Sequence, residues 1–299
     1  MPVSGSPTVR RRRLAAELRR LRESTGMTAG EVGQDLRWSK AKVSRYELAR
    51  GGLKPTEVAR LLEFYGVQGD QRDLLLGLAQ EAAEKGWWDG YSDVLTEGHL
   101  SFIGLEAEAT KIQEWQINVV PGLLQTEAYA REILTGYNEV ADISPKQIER
   151  RLETRLFRQQ LLTRDQPLEF DALLDESVLY RRRGDRSLMQ AQLRRLAVVS
   201  ELPNVSIRLL PFDTHHALAV DGFAILKFGA GPSETFSPAD GAHGAMLHDV
   251  VSVEHLSNEL YIEGDYDINQ FNLAFSRIAE MSLSPEQSRE RILGAASQV

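Results

Sequence analysis

The sequence predicts an α+β protein in two parts. An all-α bundle of five helices comes first, and a larger α+β domain with a small, mostly antiparallel sheet follows. Three observations carry this. The chain has 299 residues, about twice a common domain length. Its net charge of -8 is divided unevenly: residues 1–54 hold 13 Lys+Arg against 5 Asp+Glu, a net of +8, which leaves -16 for the rest. Near residue 100 the short, helix-period segments give way to a mixture of helices and β-rich runs. The composition, 42% hydrophobic and 26% charged, is that of a chain able to bury a core rather than remain disordered.

The first helix is read from Leu14, Leu18 and Leu21, which recur at helical spacing, with Gly26 as its stop. Thr28 is suited to cap a second helix carrying Val32 and Leu36, and Ser39 a third with Val43, Tyr46 and Leu48 turned inward. Gly51, Gly52 and Pro55 break the chain. Val58, Leu61, Leu62 and Tyr65 mark a fourth helix, and Leu74, Leu75 and Leu78 a fifth. These give a domain over residues 9–84. Trp87, Trp88 and Tyr91 follow in a segment too aromatic for an idle linker. Packing against the next domain is one reading of them, and a partner or dimer contact is the other.

Residues 87–299 form the second domain. Helices are expected near 103–116, 126–136, 144–163, 186–201, 267–281 and 285–297. Strands are expected at Leu168–Leu174, Val205–Leu210, Phe223–Phe228, Val250–Glu254 and Leu260–Glu263. Residues 229–241 read as a loop around another short strand. Arg150, Arg151, Arg155 and Arg158 fall near helical spacing, as an ion-paired or solvated face or as a docking surface for an acidic partner. A carboxylate cluster at Asp265 and Asp267 reads as a capped helix start.

Thr28–Leu36, Arg37-Trp38 and Ser39–Leu48 have the spacing of a helix-turn-helix unit. In such a unit the second helix enters the major groove and its N-terminal half reaches base edges. The outward residues here are Lys40, Ala41, Lys42, Ser44 and Arg45. Lysine and arginine match guanine N7 and O6, serine addresses a donor or an acceptor, and alanine touches a thymine methyl. Ser39, Arg37 and Arg50 flank that helix and complete the DNA-binding set. The cationic segment attracts polyphosphate and the acidic remainder is repelled by it.

On these residues the sequence resembles the lambda-repressor-like, or Xre-type, helix-turn-helix family. Leu14–Arg22 is similar to that family's first helix, Gly33 to its small residue at the helix crossing, and Val43, Tyr46 and Glu47 to its apolar-x-x-apolar-acid signature. The resemblance implies that Glu47 pairs with Arg22 as a structural ion pair. It also implies that Lys40, Ala41 and Arg45 read bases, while Lys42 touches phosphate. It departs at Ala29, where glutamine is usual, and at Arg37, where glycine is usual. A left-handed backbone at Arg37 would cost roughly 1 kcal/mol.

Glu106–Ile112, Trp115, Val120–Thr126, Tyr129–Arg131, Arg155–Gln159, Asp175-Glu176, Gln192-Leu193 and Val205–Pro211 resemble the C-terminal domain of an actinobacterial regulator family with antitoxin-like members. That resemblance implies regulation through a small protein partner encoded nearby. By themselves, Pro121-Gly122 read as a turn and Thr126 as a helix cap.

No catalytic site, cofactor or metal is expected. Cys is 0, which removes thiolate chemistry and suits a reducing cytoplasm. The six histidines, among them His215, His216, His243, His248 and His255, form no zinc signature, and there is no Gly-x-Ser-x-Gly elbow or phosphate loop. No run reaches the roughly 20 apolar residues of a membrane helix, and no signal peptide is read. The expected function is that of a cytoplasmic, sequence-specific regulator binding double-stranded DNA as a homodimer on a palindromic operator. The alternatives are an antitoxin-like module that sequesters a small neighbour-encoded protein, and a small-molecule-sensing repressor.

Overall fold

The computed structural model describes residues 6–49, 52–215, 218–229, 249–256 and 258–298. They form two compact units, one ending at Asp89 and one starting at Gly90. In the first, α1 (Pro7–Ser24) opens on proline, whose missing N–H costs nothing at that position, and buries Leu14, Leu18 and Leu21. Gly26, at φ 73°, ends it in the left-handed conformation that glycine adopts without strain. α2 (Ala29–Leu36) starts at a capping box, with Thr28 Oγ1 accepting the Glu31 N–H at 3.3 Å and the Glu31 carboxylate accepting the Thr28 N–H at 2.7 Å. α3 (Lys40–Glu47) is capped by Ser39. α4 (Pro55–Phe64) and α5 (Gly69–Ala82) complete the bundle. Leu14, Leu18, Val32, Val43, Leu62 and Leu75 share one core.

Leu48, read as inward-facing, and Leu74, one of the leucines that mark the fifth helix, lie outside that core. Leu48 is 53% and Leu74 50% exposed. α3 stops at Glu47, so Leu48 leaves the helical face, and the inward line of α5 runs through Leu75, Ala79 and Ala82.

The second unit runs α6 (Glu97–Glu108), β1 (Lys111–Gln116), α7 (Glu127–Gly136), α8 (Pro145–Arg158), β2 (Glu169–Asp175), α9 (Ser177–Tyr180) and α10 (Arg186–Val199). It continues with β3 (Val205–Leu210), β4 (Phe223–Lys227), β5 (Val250–Glu254), β6 (Glu259–Ile262), α11 (Asp265–Met281) and α12 (Pro285–Gln298). The strands form one mixed sheet in the order β3-β2-β1-β4-β5-β6. The pairings β1–β4, β4–β5 and β5–β6 are antiparallel. β1–β2 and β2–β3 are parallel, because helices α7–α8 and α10 carry the chain back between them.

The helix expected over 103–116 is two elements. α6 stops at Glu108, and Lys111–Gln116 is β1, the strand on which both halves of the sheet are built. Ile112 and Trp115 are both buried, on opposite faces. A strand covered on both sides loses its alternation, and a spacing of three then imitates a helix. At Asp265 the helix starts as read, but the cap is Gly264 and both acids sit in the first turn. Residues 230–241, with their suggested strand, lie outside the described residues, as do His216, His243 and His248.

The two sheet faces differ in chemistry. One presents Trp115, Leu173, Phe223, Ile225, Val251 and Val253 to Ile268, Phe275 and Ile278 of α11. The other turns Glu114, Ala224 and Ser252, in one cross-strand row, towards the α6–α8 side. Three of the four arginines of α8 are committed within the unit rather than lined along a free face. Arg150 donates to Gly90 O at 2.6 Å and binds Asp93, Arg151 donates to Val94 O at 2.7 Å, and Arg158 pairs with Glu106.

Phe275 is the largest buried α11 side chain in the apolar face. Phe275→Ala is expected to lower stability by about 3–5 kcal/mol, read as an earlier urea midpoint by circular dichroism. A loss under 1 kcal/mol would show that α11 does not hold the sheet.

Candidate nucleic-acid interface

The α2–α3 turn is a close approach of backbone to backbone. A Cβ on Gly33 would lie 3.0 Å from Trp38 O and 3.3 Å from Lys40 N, so only glycine passes without moving the turn. Arg37 closes it at φ 56° and ψ 41°. Its N–H bonds Gln34 O at 3.2 Å, and the next N–H, of Trp38, bonds Gly33 O at 2.7 Å. This is the Schellman arrangement, which satisfies carbonyls that a helix end would leave open. An arginine occupies its left-handed position, which favours glycine. Ser39 then caps α3 by accepting the Lys42 N–H at 3.1 Å.

From this cap the helix sorts its side chains. Val43 and Tyr46 are buried, Arg37, Ser39, Lys40, Ala41 and Arg45 are exposed, and Lys42 and Ser44 are half-buried. Lys42 is engaged: its Nζ donates to Glu57 at 2.8 Å and stands 4.0 Å from the Trp38 ring centroid. The Tyr46 hydroxyl donates to the same carboxylate. Against the cost of burial, these two donors hold the Glu57 carboxyl below its ordinary range, and burial and Glu57 push the Tyr46 phenol up to about 12. Arg50 lies outside the described residues.

The far end of α3 is held by charge. Arg22 of α1 donates from Nε to Glu47 Oε1 at 2.7 Å and from Nη2 to Oε2 at 3.0 Å, and its Nη1 reaches Met27 O at 2.8 Å. Both side chains are largely buried, at 14% and 8% exposure. The two parallel bonds keep the Arg22 guanidinium protonated beyond its ordinary range.

Glu57, Trp38 and Arg60 were not singled out in the sequence. Glu57 had a legible sign, as the acid in the first turn of a Pro-started helix facing a cationic one. Arg60 donates to Leu36 O at 3.2 Å and stands 5.3 Å from the Trp38 ring. Trp87 and Trp88 pack edge to face at 5.8 Å in a short 3-10 turn, with Trp88 buried and Trp87 37% exposed. In the second unit, Tyr91 receives the Arg150 guanidinium 5.1 Å from its ring.

Two families match the chain. The one described as "Helix-turn-helix domain" matches residues 13–75, which hold all of α2 to α4. The one described as "Domain of unknown function (DUF5753)" matches residues 100–294. No curated protein and no solved structure matches it.

Arg37→Gly is expected to stabilise the first unit by ~1 kcal/mol by removing the left-handed strain, read as a raised melting temperature. An unchanged or lowered value would mean that Arg37 is not strained. Arg22→Met strands a buried carboxylate, and a loss of about 3 kcal/mol is expected in urea denaturation. Glu47→Gln on the same background should recover part of it, and no recovery would show that the pair is not the cause.

Proposed function

This chain belongs to the DUF5753 family and carries a helix-turn-helix domain, and we propose that it is a sequence-specific, DNA-binding transcription regulator whose α3 reads the major groove. One observation supports this above all. The strained turn and the Ser39 cap present the exposed N-terminal half of α3, Lys40, Ala41 and Arg45, away from the core that Val43 and Tyr46 join. Lys40 and Arg45 carry the donors that match guanine N7 and O6, and Ala41 the methyl that suits thymine. Arg37, Ser39 and Ser44 contact backbone and flanking bases, and Lys42 reaches phosphate from its Glu57 anchor. The net of +8 over residues 1–54 supplies the attraction.

In this reading, residues 9–84 are the DNA-binding domain and residues 87–299 serve dimerisation and regulation. A homodimer would set two copies of α3 about 34 Å apart on a palindromic operator. Resemblance to antitoxin-like regulators supports a small protein partner as one source of control. Among the described residues, no helix is long and apolar enough to cross a membrane.

The test is fluorescence anisotropy with duplexes from the DNA upstream of the protein's own gene, across a salt series. Arg45→Ala is expected to weaken the best duplex by about 1–3 kcal/mol and relax its sequence preference. Binding should fall steeply with salt. Wild-type affinity in the variant would remove Arg45 from the reading set. Indifference of the wild-type protein to all duplexes at low salt would overturn the reading.

A further inference from the structure

The second unit contains a cavity of about 500 Å³ between the polar face of the sheet and helices α6, α7 and α8. That is within the roughly 300–1,000 Å³ of small-molecule sites. The sheet makes the space by placing small residues on its middle strand. The cross-strand row Glu114, Ala224 and Ser252 has an alanine at its centre, and Gly222, just before β4, lies against Gln116. A Cβ at Gly222 would come within 3.2 Å of Gln116 Oε1 and Trp115 O.

Exposed Glu132, Glu139 and Arg182 line the cavity, as does Arg183, which donates to Asn118 O at 3.4 Å. The cavity's other charges fall into two kinds. Some are satisfied. Arg158 makes a twofold bond to buried Glu106, at 2.6 and 2.8 Å, and His99 meets Glu259 at 2.9 Å. Others face the space without a bonded counter-charge. The Arg155 Nη1 donates to Gln125 Oε1, a neutral acceptor, at 3.0 Å. Glu254 stands near enough to favour the charged form of Arg155, yet no ion pair joins them among the described residues. Glu114 accepts from the Gln116 amide at 2.9 Å. Burial and the neighbouring Arg158 push Arg155 down to about 10, and burial pushes Glu114 up to about 7. Arg155 and Glu114 are half-buried, while Glu254, which also lines the space, is exposed. The half-buried groups cost free energy until a partner supplies their counter-groups.

We propose that this cavity binds a small zwitterion of short-peptide size, with its carboxylate on Arg155 and its ammonium on Glu254 and Glu114. A purely anionic ligand leaves the two carboxylates unanswered, and a purely cationic one leaves Arg155. Phe102, Tyr137 and Val140 give the walls apolar area for a side chain between the two charged ends. The site lies wholly within the second unit and does not depend on the DNA-binding reading.

The test is calorimetric titration of the full chain, without DNA, with tripeptides that have an aromatic central residue. Each is used as the free zwitterion, the N-acetyl form and the C-amide. The free form of at least one tripeptide is expected to bind, with each blocked form at least roughly tenfold weaker, a difference of ~1.4 kcal/mol. In Arg155→Gln the acid and amide should bind alike, and in Glu254→Gln the free and acetylated forms should bind alike, with melting temperatures checking that each variant folds. The comparison of blocked and free peptides on the wild-type chain stands even if a variant does not fold. Absence of binding by every tripeptide, equal binding of blocked and free forms, or a folded Arg155→Gln that still prefers acid to amide would overturn the proposal.

Discussion

The close crossing of α2 and α3 is the constraint on which the rest of the first unit depends. Gly33 has no side chain because the Trp38 carbonyl and the Lys40 amide occupy the space one would need. Given that contact, Arg37 must turn left-handed, Ser39 must cap, and α3 emerges in one direction only. Its far end is then fixed by Arg22 on Glu47 and its flank by Lys42 and Tyr46 on Glu57. Three separate helices therefore set the angle of one eight-residue helix. Such a helix alone would be marginal in water. Held on three sides, it would order few groups on meeting a duplex in the proposed reading, and less of its interaction energy would be lost to entropy. The strain at Arg37 is tolerated because these neighbours leave the turn no alternative.

In the second unit the governing fact is that one sheet has two unlike faces. The face under α11 is apolar and close-packed, with Phe223 and Phe271 edge to face at 5.0 Å. It supplies the burial that stabilises the fold. The opposite face has Glu114 and Ser252 in the row that would ordinarily be aliphatic. α8 answers with Arg155 and Arg158, of which, among the described residues, only Arg158 finds a carboxylate within bonding distance. A fold optimised only for stability would fill this space with leucine and valine, since well-packed apolar residues match or exceed a buried ion pair. The polar face is a departure from local consistency, and such departures concentrate at functional sites.

How far the sequence could be read follows from what each part depends on. Helix caps and stops are local, so Thr28, Ser39, Thr126 and Gly26 were legible from residue type and position. The amphipathic helices of the first unit were legible for the same reason, except where a helix ended early, at Leu48, or where its inward line was displaced by one residue, at Leu74. β1 was not legible, because a strand buried on both faces carries no alternation and Ile112 and Trp115 imitate a helix. The parallel pairing of β1 with β2 was lost with it. Of the site residues, the outward face of α3 could be read from periodicity. The ties of Lys42 to Glu57 and of Arg60 to the turn join residues of separate helices, which no local pattern reports. The cavity is the extreme case, since its walls come from seven helices and strands, and of its charges only Arg155 and Arg158 fell in the stripe read from the sequence.

The charge division of the chain gains a physical sense from these two sites. The cationic segment works through long-range attraction to polyphosphate, which salt weakens. The cavity works at short range, where burial strengthens each contact and salt matters little. A ligand there can alter DNA occupancy only to the extent that its affinity differs between the bound and free states of the protein. Arg155 has the property such a difference needs. It is half-buried and donates to a neutral acceptor, so a carboxylate brought to it gains more where the site is closed from water than where it is open. A tightly closed pair such as Arg158–Glu106 offers no such leverage, because its counter-charges are already met. The arrangement therefore separates the charges that hold the fold from those left available to a ligand, within a single helix.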